Sequence, residues 1–204
     1  MTSAPRDAII DRTTRETRIH GRLTLDGAAE VRVDTGIGFL DHMLTTLAFH
    51  ASWDLELECH GDLEVDDHHT AEDCALALGE ALDRALGDRA GITRFGTGHA
   101  PLDEALARTV IDLSGRPWPE IHLGLTREAL GGLASENIAH VFISFAMAAK
   151  CALHVDVLRG GNDHHRTEAA FKSTALALRQ ATAFVDGAVR STKGSLTGSI
   201  GDIS

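Results

Sequence analysis

A six-residue pattern occurs twice in this chain and limits what it can fold into. Asp67-His68-His69-Thr70-Ala71-Glu72 returns 96 positions later as Asp163-His164-His165-Arg166-Thr167-Glu168. One further histidine precedes each copy: His42 lies 26 positions before His68, and His140 lies 24 before His164. Histidine is an uncommon residue, so a chance double match with equivalent upstream partners is a poor reading. Repetition of this kind marks a duplicated half.

The hydrophobic pattern is duplicated too. Leu40, Met43, Leu44, Leu47 and Ala48 follow helical spacing around His42, as Val141, Phe142, Phe145, Ala146 and Ala149 do near His140. An alternating strand follows each helix, with Trp53, Leu55, Leu57 and Cys59 on one face in the first half and Leu153, Val155 and Val157 in the second. After each motif runs a longer amphipathic helix. The first carries Ala75, Leu78, Leu82 and Ala85 and stops near Gly87; the second carries Phe171, Ala175, Leu178, Thr182 and Val185. Further strands are expected at 18–25, 28–33, 107–113 and 118–124. The expected fold is α+β, with helices packed on one face of the sheets. A single domain, 1–204, would hold two pseudo-repeats at about 8–90 and 97–190, with 87–98 as the hinge and 191–204 as a loop-like tail.

Charge and cysteine usage narrow the partners. The formal net charge is −11 with no dense Lys/Arg run, which excludes nucleic acid and anionic membrane surfaces as expected partners. No apolar run approaches the roughly 20 residues of a membrane span, and the first residues lack the apolar core of a signal peptide, so a cytoplasmic protein is expected. Cys59, Cys74 and Cys151 form no C-x-x-C pair and read as reduced, buried thiols.

The repeated motif has the geometry of a metal site. Residues four apart share a helix face, so His68 and Glu72 can hold one ion, and His164 with Glu168 repeat the arrangement. Adjacent helical residues diverge by about 100°, so His69 and His165 turn toward an ion held by the other half or by another subunit. Symmetry then predicts two sites, one of His68, Glu72, His140 and His165, the other of His164, Glu168, His42 and His69. Three imidazoles and one carboxylate without thiolate suit Mn, Fe or Zn. A six-coordinate ion would keep two positions for substrate and water. Asp41, Asp67, Asp73 and Asp163 are expected to orient the imidazoles.

Gly38-Phe39-Leu40-Asp41-His42-Met43-Leu44, the run from Gly61 to Asp73, and the run from Asn162 to Ala169 resemble the signatures of imidazoleglycerol-phosphate dehydratases. Arg12 to Thr17, Arg94-Phe95-Gly96, Ser114-Gly115-Arg116-Pro117 and Ser191-Thr192-Lys193-Gly194 fall where that family has its markers. The resemblance implies a duplicated ferredoxin-like βαβ-type unit (ribosomal protein S5 domain 2-like). It also implies two Mn²⁺ per active site and a homo-oligomer of twenty-four subunits with interfacial sites. The implied reaction is dehydration of D-erythro-imidazole-glycerol phosphate, a small phosphorylated imidazole, to imidazole-acetol phosphate in histidine biosynthesis, through a metal-bound imidazolate at a dinuclear Mn site.

Roles follow from the resemblance residue by residue. Glu16 is the first candidate for general acid or base, with Glu72 and Glu168 as alternative proton carriers. Arg94, Arg116 and Lys193 are the candidates for the phosphate, with Ser191 as a hydroxyl donor. His50 and Lys172 are expected to line the pocket beside the substrate-facing ligands His42, His68, Glu72 and His164, and Glu16 completes the substrate-contacting set. Two other readings share the metal site: a binuclear hydrolase acting by metal-bound hydroxide, and a non-catalytic assembly pinned by ions.

Overall fold

The structure, a computed structural model, describes residues 6–185 and Ser191. Its first half runs β1 (Asp7–Thr13), β2 (Thr17–Thr24), β3 (Val31–Asp34), α1 (Gly38–Ala51), β4 (Asp54–Gly61) and α2 (His68–Leu86). The second repeats the order as β5 (Phe95–Leu102), β6 (Ala105–Asp112), β7 (Trp118–His122), α3 (Ser135–Ala148), β10 (Ala152–Arg159) and α4 (Asp163–Thr182), with the short hairpin β8 (Ala129–Leu130) and β9 (Leu133–Ala134) inserted before α3. The two four-stranded sheets have matching orders, β1-β2-β4-β3 and β5-β6-β10-β7. In each, one pair is parallel, β3 with β4 and β7 with β10, and the others are antiparallel. The α+β fold and the duplication are therefore as the sequence leads one to expect.

Alternation decides which face of each sheet is covered. On β4, Leu55, Leu57 and Cys59 are buried while Glu56, Glu58 and His60 face outward. α2 packs on β1 and β2, and α4 packs on β5 and β6. The helices also meet across the halves, α1 against α4 and α2 against α3. All four therefore lie between the sheets and share one apolar core. Matching breaks end the shorter helices: Ser52 after α1 and Lys150 after α3 both take the left-handed conformation, at φ 61° and 51°.

Three elements differ from the sequence expectation. The strand expected at 28–33 starts only at Val31, because the backbone N–H groups of Ala28 and Glu30 donate to Asp54 Oδ1 and Ala29 is left-handed. α4 stops at Thr182 rather than reaching Val185, whose N–H donates to Gly91 O beside the Ile92–Phe184 bridge. The last four residues of the expected hinge, 95–98, are the start of β5. Gly96 and Gly98 fall where α4 crosses that strand, and a Cβ at either would meet the carbonyl oxygen of Ala177 or Ser173.

Gly79 plays the equivalent part between α2 and α3. A Cβ there would lie 2.6 Å from Phe145 O and 2.8 Å from the Ala148 side chain. Overpacking of this kind typically costs about 1–3 kcal/mol. Gly79→Val is expected to destabilise the protein by about 2–3 kcal/mol in urea denaturation; an unchanged midpoint would contradict close α2–α3 packing at this position.

Candidate metal centre

The cross-half helix contacts assemble two groups. α1 brings His42 to His164 and Glu168 on α4; α3 brings His140 to His68 and Glu72 on α2. In each group one ligand atom per residue lies within 4.8 Å of the others. His42 Nε2 and His164 Nε2 are both 3.2 Å from Glu168 Oε2. His68 Nε2 is 3.4 Å from Glu72 Oε2, and His140 Nε2 is 3.3 Å from Glu72 Oε1. Metal–nitrogen bonds of about 2.1 Å place cis ligand atoms at roughly this separation, so the donors fit a divalent ion with nitrogen and oxygen ligands. Thiols take no part, since all three cysteines are buried elsewhere.

The two groups are not copies. Three residues before the upstream histidine stands Phe39 in one half and Asn137 in the other. Phe39 packs edge-on against His164 at 5.2 Å, whereas Asn137 Oδ1 lies 2.9 Å from His68 Nδ1 and accepts its proton when Nε2 is the ligand atom. Four residues after the glutamate, Lys172 Nζ sits 2.7 Å from Glu168 Oε1, while Leu76 takes that place after Glu72. Burial pushes the Glu168 carboxyl pKa up, but Lys172 and His42 outweigh it and hold it below the usual value. His50, on α1, has its pKa lowered by burial and by Lys172; of the two expected pocket residues, Lys172 is the one in contact with this group.

His69 and His165 join neither group. His69 Nδ1 lies 3.0 Å from Asp62 and its Nε2 is 3.7 Å from Glu16, which stands in the β1–β2 turn. His165 Nδ1 lies 2.7 Å from Glu104, in the β5–β6 turn, with Asp103 at 3.9 Å from Nε2. Both imidazoles are thereby raised in pKa, mainly by the hydrogen bond to Asp62 or Glu104. Glu104 falls to about 2, held there by His165 and by the N–H groups of Asn162 and Gly161.

The aspartates expected to orient the imidazoles have other partners. Asp67 accepts from Ala134 N at the start of α3, tying it to the start of α2. Asp163 accepts from Thr126 and Arg127 N–H, Asp41 from Thr35, and Asp73 from Arg12 and Thr17. The orienting groups are Asn137, Asp62 and Glu104, of which only Asp62 falls within a run that the sequence singles out.

The phosphate candidates lie apart. Arg94 N donates to Ala181 O at the far end of α4 from His164. The helix rise puts about 25 Å between those ends. The Arg94 guanidinium forks onto Asp112, and Arg116 is exposed in the loop after β6. Ser191 is half-buried, and Lys193 falls outside the described residues.

A two-repeat α+β enzyme with paired nitrogen- and oxygen-rich groups for metal is the class this architecture defines. The family model described as imidazoleglycerol-phosphate dehydratase matches residues 35–178. Proteins so named from Neurospora crassa and Salinibacter ruber are 50% and 53% identical over 95% of this chain, which spans 97% and 96% of their lengths. One from Phytophthora nicotianae is 59% identical, though the chain spans only 43% of it. The crystal structure of the Staphylococcus aureus dehydratase superposes with a TM-score of 0.80 at 35% identity, covering 88% of this chain and 99% of that one. The dehydratase from Pyrococcus furiosus, solved in complex with (S)-C348, gives 0.78 at 35% identity, covering 90% and 98%. The chain belongs to the imidazoleglycerol-phosphate dehydratase family.

The Glu104–His165 contact makes a pH prediction for the metal-free protein. Glu104 has a depressed pKa, so its contribution is present above its ordinary value near 4.5 and is lost as pH falls toward about 2. The raised His165 contributes below its usual 6.5, and that part is lost as pH rises through its folded pKa. In Glu104→Gln, the His165 ring resonance should titrate at lower pH by NMR. An unmoved midpoint would show that the contact is absent in solution.

Proposed function

We propose that this protein dehydrates D-erythro-imidazole-glycerol phosphate to imidazole-acetol phosphate, the hydro-lyase step of histidine biosynthesis, with two Mn²⁺ per active site. The observation that carries the reading is the pair of His–His–Glu groups in a member of this family. The proton to be removed sits on a carbon with no adjacent carbonyl, so the imidazole ring must take up the negative charge. Bound divalent ions supply Lewis acidity toward that ring. Loss of hydroxide from the carbon joined to the ring, proton loss from the next carbon and tautomerisation of the enol give the ketone and one water.

The protein's own groups then divide the work. His42, His164 and Glu168 hold one ion; His68, Glu72 and His140 hold the other. His69 and His165 complete these sets from neighbouring subunits, because within one chain each turns to other partners. Glu16 moves the proton in this reading, supported by its half-exposed carboxylate in a turn 3.7 Å from His69 Nε2. Glu72 and Glu168, engaged by their imidazoles, are the lesser candidates. His50 and Lys172 flank the first group.

Arg94, Arg116, Ser191 and Lys193 bind the phosphate. The distance from Arg94 to the His164 group within one chain supports supply of these cations by another subunit. The assembly proposed is a homo-oligomer of twenty-four copies with interfacial sites. The enzyme works in the cytoplasm; no helix among the described residues is long and apolar enough to cross a membrane.

Incubation with Mn²⁺ and imidazoleglycerol phosphate is expected to yield a ketone whose enol absorbs in alkali. Release of inorganic phosphate instead would overturn the reading in favour of hydrolysis. Glu16→Gln should lower kcat by about 10²–10⁴ with metal content unchanged, and full activity in that variant would remove Glu16 from the chemistry.

A further inference from the structure

Asp73, which follows Glu72 on α2, has Ala169 as its counterpart in the second repeat, 96 positions on. Both positions are buried, so packing alone does not call for an acid there. We propose that Asp73 is a positioning residue: through Arg12 and Thr17 it clamps the β1–β2 turn onto α2 and so sets the Glu16 carboxylate beside His69. This role rests on the reading of Glu16 as the group that moves the proton.

Arg12, near the end of β1, donates from Nε and Nη2 to Asp73 Oδ1 at 3.0 and 2.8 Å. The Thr17 hydroxyl, at the start of β2, donates to Oδ2. The two strands that bracket the turn thus hold both oxygens of the carboxylate, and the guanidinium balances a charge that burial would otherwise disfavour. Within the turn, Thr14 Oγ1 accepts from the N–H groups of Glu16 at 3.1 Å and Thr17 at 2.9 Å, which fixes the Glu16 backbone. Asp73 lies four residues after His69 and so shares its helix face. Glu16 Oε1 accordingly comes to 3.7 Å from His69 Nε2, while Asp62 occupies Nδ1 of the same ring. In the second repeat Glu104 takes Nδ1 of His165 directly and is held by the N–H groups of Gly161 and Asn162. That carboxylate orients a ring. The Glu16 carboxylate is instead kept on the Nε2 side, held through its backbone and its neighbours.

The test measures kcat, KM and metal content of Mn²⁺-loaded Asp73→Ala and Thr17→Val, each alone and combined with Glu16→Gln. Alone, each is expected to lower kcat by about 10–100-fold with metal content unchanged, whereas Thr17→Ser, which keeps the hydroxyl, should retain wild-type turnover. In the Glu16→Gln background neither should lower kcat further, because the clamp acts through that carboxylate. Amide hydrogen exchange at residues 14–17 should be faster in both single variants, with or without Mn²⁺. An equal further loss in the Glu16→Gln background would overturn the proposal, as would wild-type kcat in Thr17→Val while Glu16→Gln is impaired. Wild-type activity in Glu16→Gln would instead remove the reading of Glu16 itself, and the clamp's role with it. Thr14→Ala, altered at an exposed position, carries the same coupling test if the buried variants fold poorly.

Discussion

The packing of each half's short helix against the other half's long helix is the constraint on which the site depends. Neither D-H-H-x-x-E copy can gather its third ligand from its own repeat. His140 reaches His68 and Glu72 only because α3 lies on α2, and His42 reaches Glu168 only because α1 lies on α4. Close approach at Gly79 and the Asp67–Ala134 hydrogen bond hold the first of these contacts. Burial of the shared core supplies the driving force, so folding and assembly of the polar groups are one event.

Duplication gives two similar groups, but divergence has made them chemically unequal. Glu168 shares its charge with Lys172, whereas Glu72 has no cation at the corresponding position. Asn137 fixes the His68 ring by hydrogen bonding, while Phe39 fixes His164 by packing. A directional polar contact selects a ring tautomer, whereas an aromatic edge restricts only orientation. The two His–His–Glu groups therefore offer different electrostatic surroundings within an overall pseudo-symmetry.

Much of this was legible in the sequence, and the exceptions share a cause. The i, i+4 spacing of His68–Glu72 and His164–Glu168, together with their repetition, pointed to both triads, including the crossing of His42 and His140 between halves. β5 escaped notice because its inward positions are Gly96, Gly98 and Ala100, chosen for the close passage of α4 rather than for an apolar alternation. The partners of His69 and His165 were equally hidden: Asp62 lies in a connection and Glu104 in a hairpin turn 61 positions from its histidine. Sequence proximity instead favoured Asp41, Asp67, Asp73 and Asp163, whose carboxylates hold loops and helix starts. Local periodicity reports secondary structure, while contacts made by turns depend on tertiary placement.

Anomalous X-ray scattering at the manganese edge, from crystals of the Mn²⁺-loaded protein, tests the central claim most directly. Two peaks per chain are predicted, one among His42, His164 and Glu168 and the other among His68, Glu72 and His140. A single peak, or density remote from both triads, would contradict it.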